Sequence, residues 1–474
     1  MTRSRRIPGA LALAVTLAIT AAACGDDDDG GGEAADTTAA APAETTAAAP
    51  ADTTAAPADT TEAPAETTAA PEAPAFQVPT DNCPPEATEP LADGEPVKIG
   101  FIGPQTGPLA AFGVIGQGMQ VYFDKLNEAG GVAGHPLELI VKDDAYDPAK
   151  SGPAVQEALE GDGVFASVFQ IGTPNVAGTR ELYAAACVPQ ALVGTGFPNW
   201  GDPNNFPWTT GGIPSYTVES NVWTQFIQEK FPDATKVALL TFNNDFGKTY
   251  QTALNELLPA AGLEIVADVV HEPTSDLSNE VTQLLAAGPD VIIGGTTSTF
   301  CTSLMTLARQ GGFTGPIINS YTCQAIQQFM VPAGEAAANV HTLVVIKDPS
   351  DPAYADDPGV QQYLEDVETY GEGVDPTIGN VGTGYNAAFL IEDAITRASE
   401  MEGGLTRANL MNAFWSFDLE APLAIGGVAR VNGVDDAYIS EFGVMAEFDP
   451  ATAGYLTSEG VEIDAEGEGG IFEG

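Results

Sequence analysis

From Val97 onward, short β-branched runs alternate with longer stretches in which apolar positions recur every three or four residues. The runs VKIGFI (97–102), LELIVK (137–142) and GVFASVFQ (163–170) read as strands of a first block, with helices over 116–127 and after Thr173 between them. KVALLTF (236–242), DVIIGG (290–295) and GPIINS (315–320) read as strands of a second block, with helices after Gly247 and from about Thr299. Strands alternating with helices predict parallel sheets covered on both faces, an α/β class. Breaks rich in Pro, Gly and Asp near 210–217 and 347–357 divide the alternation, which predicts two such sheets joined by crossovers.

Upstream of this region the pattern changes character. Arg3, Arg5 and Arg6 precede an uncharged stretch over 7–20, and Ala21, Ala22 and Ala23 lead to Cys24. A basic start, a short apolar core and small residues form an export signal, 1–23. Its core of about fourteen residues is shorter than the roughly 20 that a spanning helix needs. Small residues ending in cysteine resemble the lipobox of bacterial lipoproteins, whose cysteine becomes the acylated N-terminus. Ala21 stands where that pattern usually has Leu, and Ala21 with Ala23 also suits ordinary signal peptidase, which leaves a soluble protein. Lipidation of Cys24 is the expectation, with 24–92 as a flexible linker. Its prolines at 42, 50, 57, 64 and 71 rule out a coiled coil despite their near-heptad spacing, because proline removes helix hydrogen bonds.

Composition narrows the partners. The chain has 66 Asp plus Glu against 16 Lys plus Arg, a formal net charge of -50. Such a surface repels phosphate backbones and anionic lipid heads, so no nucleic acid is expected as a partner. The same field disfavours anionic solutes. Of five cysteines, four remain beside Cys24: Cys83, Cys187, Cys301 and Cys323. An even number outside the cytoplasm predicts two disulfides, with three connectivities open; Cys83 with Cys187 and Cys301 with Cys323 is the favoured set. His135, His271 and His341 form no metal-binding pair, and no metal or cofactor is expected; they are read as surface or strand-end residues. Asp143 and Asp144 are read as caps of a strand-to-helix turn. No nucleophile stands at a recognisable spacing from a base, so the chain is not expected to be an enzyme.

In open α/β sheets, ligands bind beyond the carboxyl ends of strands, where helices present free amides. The loops there are GPQTGPLAAFG (103–113), IGTPN (171–175), GTGFPNW (194–200), FNNDFG (242–247) and GGTTSTF (294–300). Thr173 before Pro174 reads as the N-cap of a helix. The aromatic loop residues Phe112, Phe197, Trp200, Phe246 and Tyr321 are candidates for lining a pocket or for packing in the cores.

Taken in order, GPQTGPLAAFG, NEAGGVAG (127–134), KDDAYDP (142–148), NNDFGKTY (243–250) and GTGYNAAF (382–389) resemble the type I periplasmic binding proteins. Within them the chain is most similar to the leucine/isoleucine/valine-binding branch serving ABC importers. The resemblance implies two Rossmann-like lobes joined by crossovers near 212–215, 345–348 and 422–431, closing on a small solute. The lobes are then 93–213 with 347–424, and 214–346 with 425–455, followed by an acidic tail over 456–474. The implied partners are the solute and an ABC permease, with a monomer held to the membrane only by its lipid; the same fold also serves as a ligand sensor without transport. The implied ligand-binding residues are Phe112, Thr173, Gly194, Thr195, Gly196, Phe246 and Thr296. Amino-acid binders of the family place a carboxylate after the strand written GPIINS here, to pair with the ligand ammonium. This chain has Ser320 and Tyr321 there, and Tyr321 joins the candidates. Tyr146 and Gly172 stand where the family carries a disulfide. With that carboxylate missing, and Phe246 where the family often has a tyrosine, an uncharged or aromatic solute fits at least as well as an α-amino acid, so the expected solute is a branched-chain or other amino acid, an amide or an aromatic compound.

Overall fold

A computed structural model describes residues 76–431, 434 and 437–465; the export signal, Cys24, the linker over 24–75 and the end of the acidic tail lie outside the described residues. The first lobe is built from β1 (Val97–Gly103), α1 (Ile115–Glu128), β2 (Leu137–Asp143), α2 (Pro148–Gln156), β3 (Ala166–Val168), α3 (Thr173–Ala186), β4 (Gln190–Val193) and β5 (Thr209–Gly211). Its strands form a parallel sheet in the order β2-β1-β3-β4-β5. The central β1 is buried on both faces and its sequence is almost wholly apolar, whereas β2 alternates and sits at the edge.

The chain then crosses into α4 (Tyr216–Lys230), β6 (Lys236–Phe242), α5 (Asp245–Ala260), β7 (Glu264–His271), α6 (Ser278–Ala286), β8 (Val291–Gly295), α7 (Thr299–Gln310), β9 (Ile317–Asn319) and β10 (Val340–Val344). It returns through α8 (Pro358–Tyr370), α9 (Gly379–Glu400) and α10 (Arg407–Phe414) to a ribbon of β11 (Asp418–Glu420) and β12 (Val428–Arg430). It ends in β13 (Phe442–Asp449), β14 (Gly454–Tyr455) and β15 (Val461–Asp464). The second sheet runs β14-β13-β10-β9-β8-β6-β7, with β13 antiparallel to β10. Caps start these helices where side chains can reach free amides: Asp147 for α2, Asn244 for α5, Asp357 for α8 and Thr406 for α10. The helix α9 closes on α1 so tightly that a Cβ on Gly118 would stand 1.9 Å from the Val381 carbonyl oxygen.

Two crossovers run side by side. Lys347 N–H donates to the Leu423 carbonyl at 2.7 Å, and Ile425 N–H to that of Val345 at 2.9 Å. The third passes through Gly212, whose N–H donates to the Val193 carbonyl at 3.1 Å.

Ordered structure extends further at both ends than the pattern predicts. Residues 76–92, expected as linker, lie against the first lobe: Val78 N–H donates to Asn412 Oδ1, Val78 and Ala87 are buried beside Trp208 and Trp415, and Cys83 is bonded to Cys187. The acidic segment from 456 is not all tail, because Val461–Asp464 pairs antiparallel with β13. Its Val-Glu-Ile-Asp alternation keeps Val461 and Ile463 half-buried on one face of the sheet and Glu462 and Asp464 exposed on the other, a strand signal that its charge concealed. Both disulfides adopt the favoured connectivity, Cys83 with Cys187 and Cys301 with Cys323. The three histidines are buried rather than superficial, with His271 ending β7 and His341 inside β10. Among the described residues, no helix is long and apolar enough to cross a membrane.

Candidate functional site

A cleft of about 50 Å³ opens between the lobes at the carboxyl ends of both sheets. From the first lobe come Leu109 and Phe112 after β1, Tyr146 after β2, Phe169 and Ile171 after β3, and Gly194 after β4. Phe246 enters from α5, Thr297 from beyond β8, and Tyr321, Thr322 and Gln324 from beyond β9. Tyr216 comes from the first residue of α4, and Asn380 and Thr383 from α9. No Asp, Glu, Lys, Arg or His lines it among the described residues. The polar groups that do are hydroxyls and carboxamides, so the cleft offers hydrogen bonds without a formal charge.

The lobes touch across its rim. Gln328 Nε2 donates to the Ala111 carbonyl at 2.8 Å, Ser298 Oγ to that of Pro108 at 3.3 Å, and the Phe112 and Phe329 ring centroids lie 5.9 Å apart. Phe112 therefore forms a wall rather than a free flap.

Of the sequence-derived candidates, Phe112, Gly194, Phe246 and Tyr321 line the cleft. Thr173, Thr195 and Gly196 lie just beneath its surface. Thr173 is the first helical residue of α3 rather than its cap; Gly172, with φ of 104°, takes the cap position, a conformation open to glycine. Freed from capping, the Thr173 hydroxyl shares a 2.6 Å hydrogen bond with that of Thr195. Both are covered by Tyr216. Burial pushes the Tyr216 phenol up to about 12, while the Gly196 backbone, Thr195 and Thr173 act on its oxygen in the opposite direction. Gly196 is required by that approach, since a Cβ there would meet the Tyr216 ring at 2.8 Å. The notch assigned to a ligand carboxylate by resemblance is thus filled by a phenol of the protein itself.

Thr296 is fully buried and its hydroxyl is 2.7 Å from His271 Nε2; its neighbour Thr297 faces the cleft. Trp200 packs on Val176 and Val193, with Phe197 and Phe206 against them, in a small cluster inside the first lobe. Asp143 and Asp144 hold the first two loops in place. Asp143 accepts from the amides of Gln105 and Thr106 and from the Thr106 hydroxyl, and Asp144 from Ser151 Oγ and Asn175 Nδ2.

Besides Tyr216, the sequence conceals the roles of Tyr146 and Glu219. Tyr146 stacks over Gly172, where a Cβ would stand 2.6 Å from its ring, so an aromatic face has taken the place of the family disulfide. A carboxylate does exist near Tyr321, but on α4: Glu219, fully buried behind the wall. Its Oε1 accepts from the Tyr321 N–H at 2.5 Å, and its Oε2 from the Tyr250 hydroxyl. Burial raises this carboxyl to about 8, so it is neutral at pH 7 and turned away from the cleft. Its signal, one Glu amid apolar positions of a helix, is visible only once α4 is known to be buried.

The sequence model of the family described as periplasmic binding protein matches residues 96–437. The leucine-, isoleucine-, valine-, threonine- and alanine-binding protein of Pseudomonas aeruginosa is 26% identical over 227 residues, 46% of this chain and 60% of that protein. The chain thus spans little more than half of that relative's length. A fatty acid ABC transporter substrate-binding protein from Thermomonospora curvata superposes with a TM-score of 0.68 at 22% identity, covering 81% of this chain and 95% of that one. A solute-binding protein of an ABC transporter from R. palustris, in complex with 4-hydroxybenzoate, gives 0.66 at 16%, covering 78% and 97%. With its two lobes, its parallel sheets and a family match running through both, the chain belongs to the type I periplasmic binding proteins of the branched-chain amino acid family.

Proposed function

We propose that the protein is the extracytoplasmic solute-binding component of an ABC importer, tethered through a lipid on Cys24, and that it captures a small uncharged solute of apolar or aromatic character. One observation carries the choice of solute. The cleft has no ionisable acid, base or histidine among its described lining residues, and Tyr216 fills the hydroxyl notch where an α-carboxylate would sit. A buried ammonium or carboxylate without a partner costs several kcal/mol, about a thousandfold or more in affinity. The Glu219 carboxyl behind the wall is engaged by Tyr250 and Tyr321. Relatives of this fold take ligands as different as branched-chain amino acids, a fatty acid and 4-hydroxybenzoate, so the fold itself sets no ligand charge.

Capture works by closure. Aromatic walls from both lobes meet around the solute, and the closed form presents the surface a permease reads, so the ligand acts by biasing a hinge equilibrium. A thermal-shift screen over neutral amides, aromatic compounds and amino acids tests the reading, since a ligand that binds only the folded state raises its melting temperature. At least one neutral compound should stabilise the protein more than any amino acid does, and Phe112→Ala should reduce that shift; stabilisation by amino acids alone would refute it. Cys24→Ser should move the protein from the membrane fraction to the medium if the lipid is the anchor.

A further inference from the structure

A second pocket, of about 50 Å³, lies directly behind the cleft. Phe169, Tyr321 and Thr383 face both spaces, so a partition one side chain thick separates them. Beyond the partition the walls are the crossovers themselves, with Gly212, Val345, Ile346, Ala421 and Ala424 among them. No Asp, Glu, Lys, Arg or His lines this space among the described residues. Most of its lining is aliphatic, from Leu192, Val345, Ile346, Leu390 and Ile439, with Thr383, Asn386 and Ser440 as polar points among them. Here small residues keep it open at the hinge, the part of the molecule that must rearrange on closure.

The backbone beside it is strained in the same place. Phe169 and Leu192 have φ of 59° and 49°, the left-handed region that bulky side chains avoid. Both line the second cavity. Glycines make room for them: a Cβ on Gly212 would stand 2.3 Å from the Leu192 carbonyl oxygen, and one on Gly194 would stand 3.2 Å from the Phe169 ring. Strain of this kind persists where surrounding structure imposes it, and it clusters at ligand sites. At Phe169 it aims the ring into the partition.

We infer that the cleft and the hinge cavity are one compound site, whose ligand is an elongated neutral molecule with a polar head and an unbranched alkyl chain. The inference rests on the reading of the cleft as the solute site. The head takes the hydroxyls and carboxamides of the cleft, and the chain passes Phe169 and Tyr321 to lie between the crossovers. A chain lodged there touches all three connections and sets the angle at which the lobes close.

Titration calorimetry of the purified protein with butanamide, hexanamide and octanamide tests this. Affinity should rise about fourfold per added methylene through octanamide, the equivalent of roughly 0.8 kcal/mol for each buried CH₂. Ala387→Leu and Ala424→Leu, which place bulk in the hinge cavity, should flatten that rise. An affinity that peaks at butanamide, or a rise that persists in both variants, overturns the compound site. If butanamide binds and longer chains gain nothing, the cleft stands without its extension. If no amide and no aromatic compound binds, the cleft reading fails and this inference with it. Should both variants prove too unstable to assay, a crystal structure with octanamide decides: its alkyl chain lies between the crossovers or it does not.

Discussion

Replacing Glu219 with glutamine probes the polar floor on which the cleft wall rests. The folded protein holds this carboxyl at about 8, chiefly through burial, against an ordinary 4.5. A raised pKa stabilises the fold below the unfolded value, and that contribution is lost as pH rises through the folded one. Between about pH 4.5 and 8 the unfolded chain has released a proton that the folded chain keeps, so stability falls by about 1.4 kcal/mol per pH unit from this group. Glutamine retains an acceptor for the Tyr321 N–H and does not titrate. The surrounding phenols stay neutral throughout: Tyr216 is pushed up to about 12, and Tyr250 and Tyr321 are raised as well, all first by burial. Comparing the two proteins cancels the other acidic groups. The stability of Glu219→Gln relative to wild type should therefore grow by about 3.5 kcal/mol between pH 5 and 8 and level off above pH 9. Urea unfolding followed by tryptophan fluorescence reads it directly, because Trp223 stacks on Tyr250 with ring centroids 4.9 Å apart. A difference that stays constant with pH refutes the assignment of a neutral buried acid.

Other outcomes follow from named contacts. Gly118→Ala should destabilise by about 3 kcal/mol, measured by chemical denaturation, because the new Cβ meets the Val381 carbonyl at 1.9 Å; in an unpacked helix the same change would stabilise. Removing the Cys83–Cys187 bond, which closes 104 residues, should cost about 4.7 kcal/mol in the loop-entropy account and expose residues 76–92 to limited proteolysis. Phe112→Ala should weaken solute binding by on the order of tenfold, as titration calorimetry would record, through loss of the ring that meets ligand and Phe329 together.

How much of this was legible before the structure depends on the range of the signal. The strands β1, β2, β6 and β8 announce themselves by local hydrophobicity, and the glycine-bearing loops after β1 and β6 place Phe112 and Phe246 near a cleft, as the loop after β4 places Gly194. Tyr216 was missed because nothing local distinguishes it. It matters only because the crossover at 212–215 delivers it onto Thr173 and Thr195, residues far from it in the first lobe. Thr173 itself looked like a cap, and a one-residue shift of the helix start onto Gly172 released its hydroxyl for another partner. Glu219 and the hinge cavity are invisible for the same reason: burial and adjacency of distant segments create them, and periodicity carries neither. The strand at Val461–Asp464 was hidden by its charge, although its alternation was there to be read.

The central claim, that the cleft selects an uncharged solute, is tested most directly by titration calorimetry of the purified protein with leucine and with 4-methylpentanamide, which share a branched side chain and differ in charge. The account predicts that the amide binds and that leucine binds at least tenfold more weakly or not at all. Tighter binding of leucine would contradict it, because it would require the cleft to satisfy an ammonium and a carboxylate that no residue lining it is built to meet.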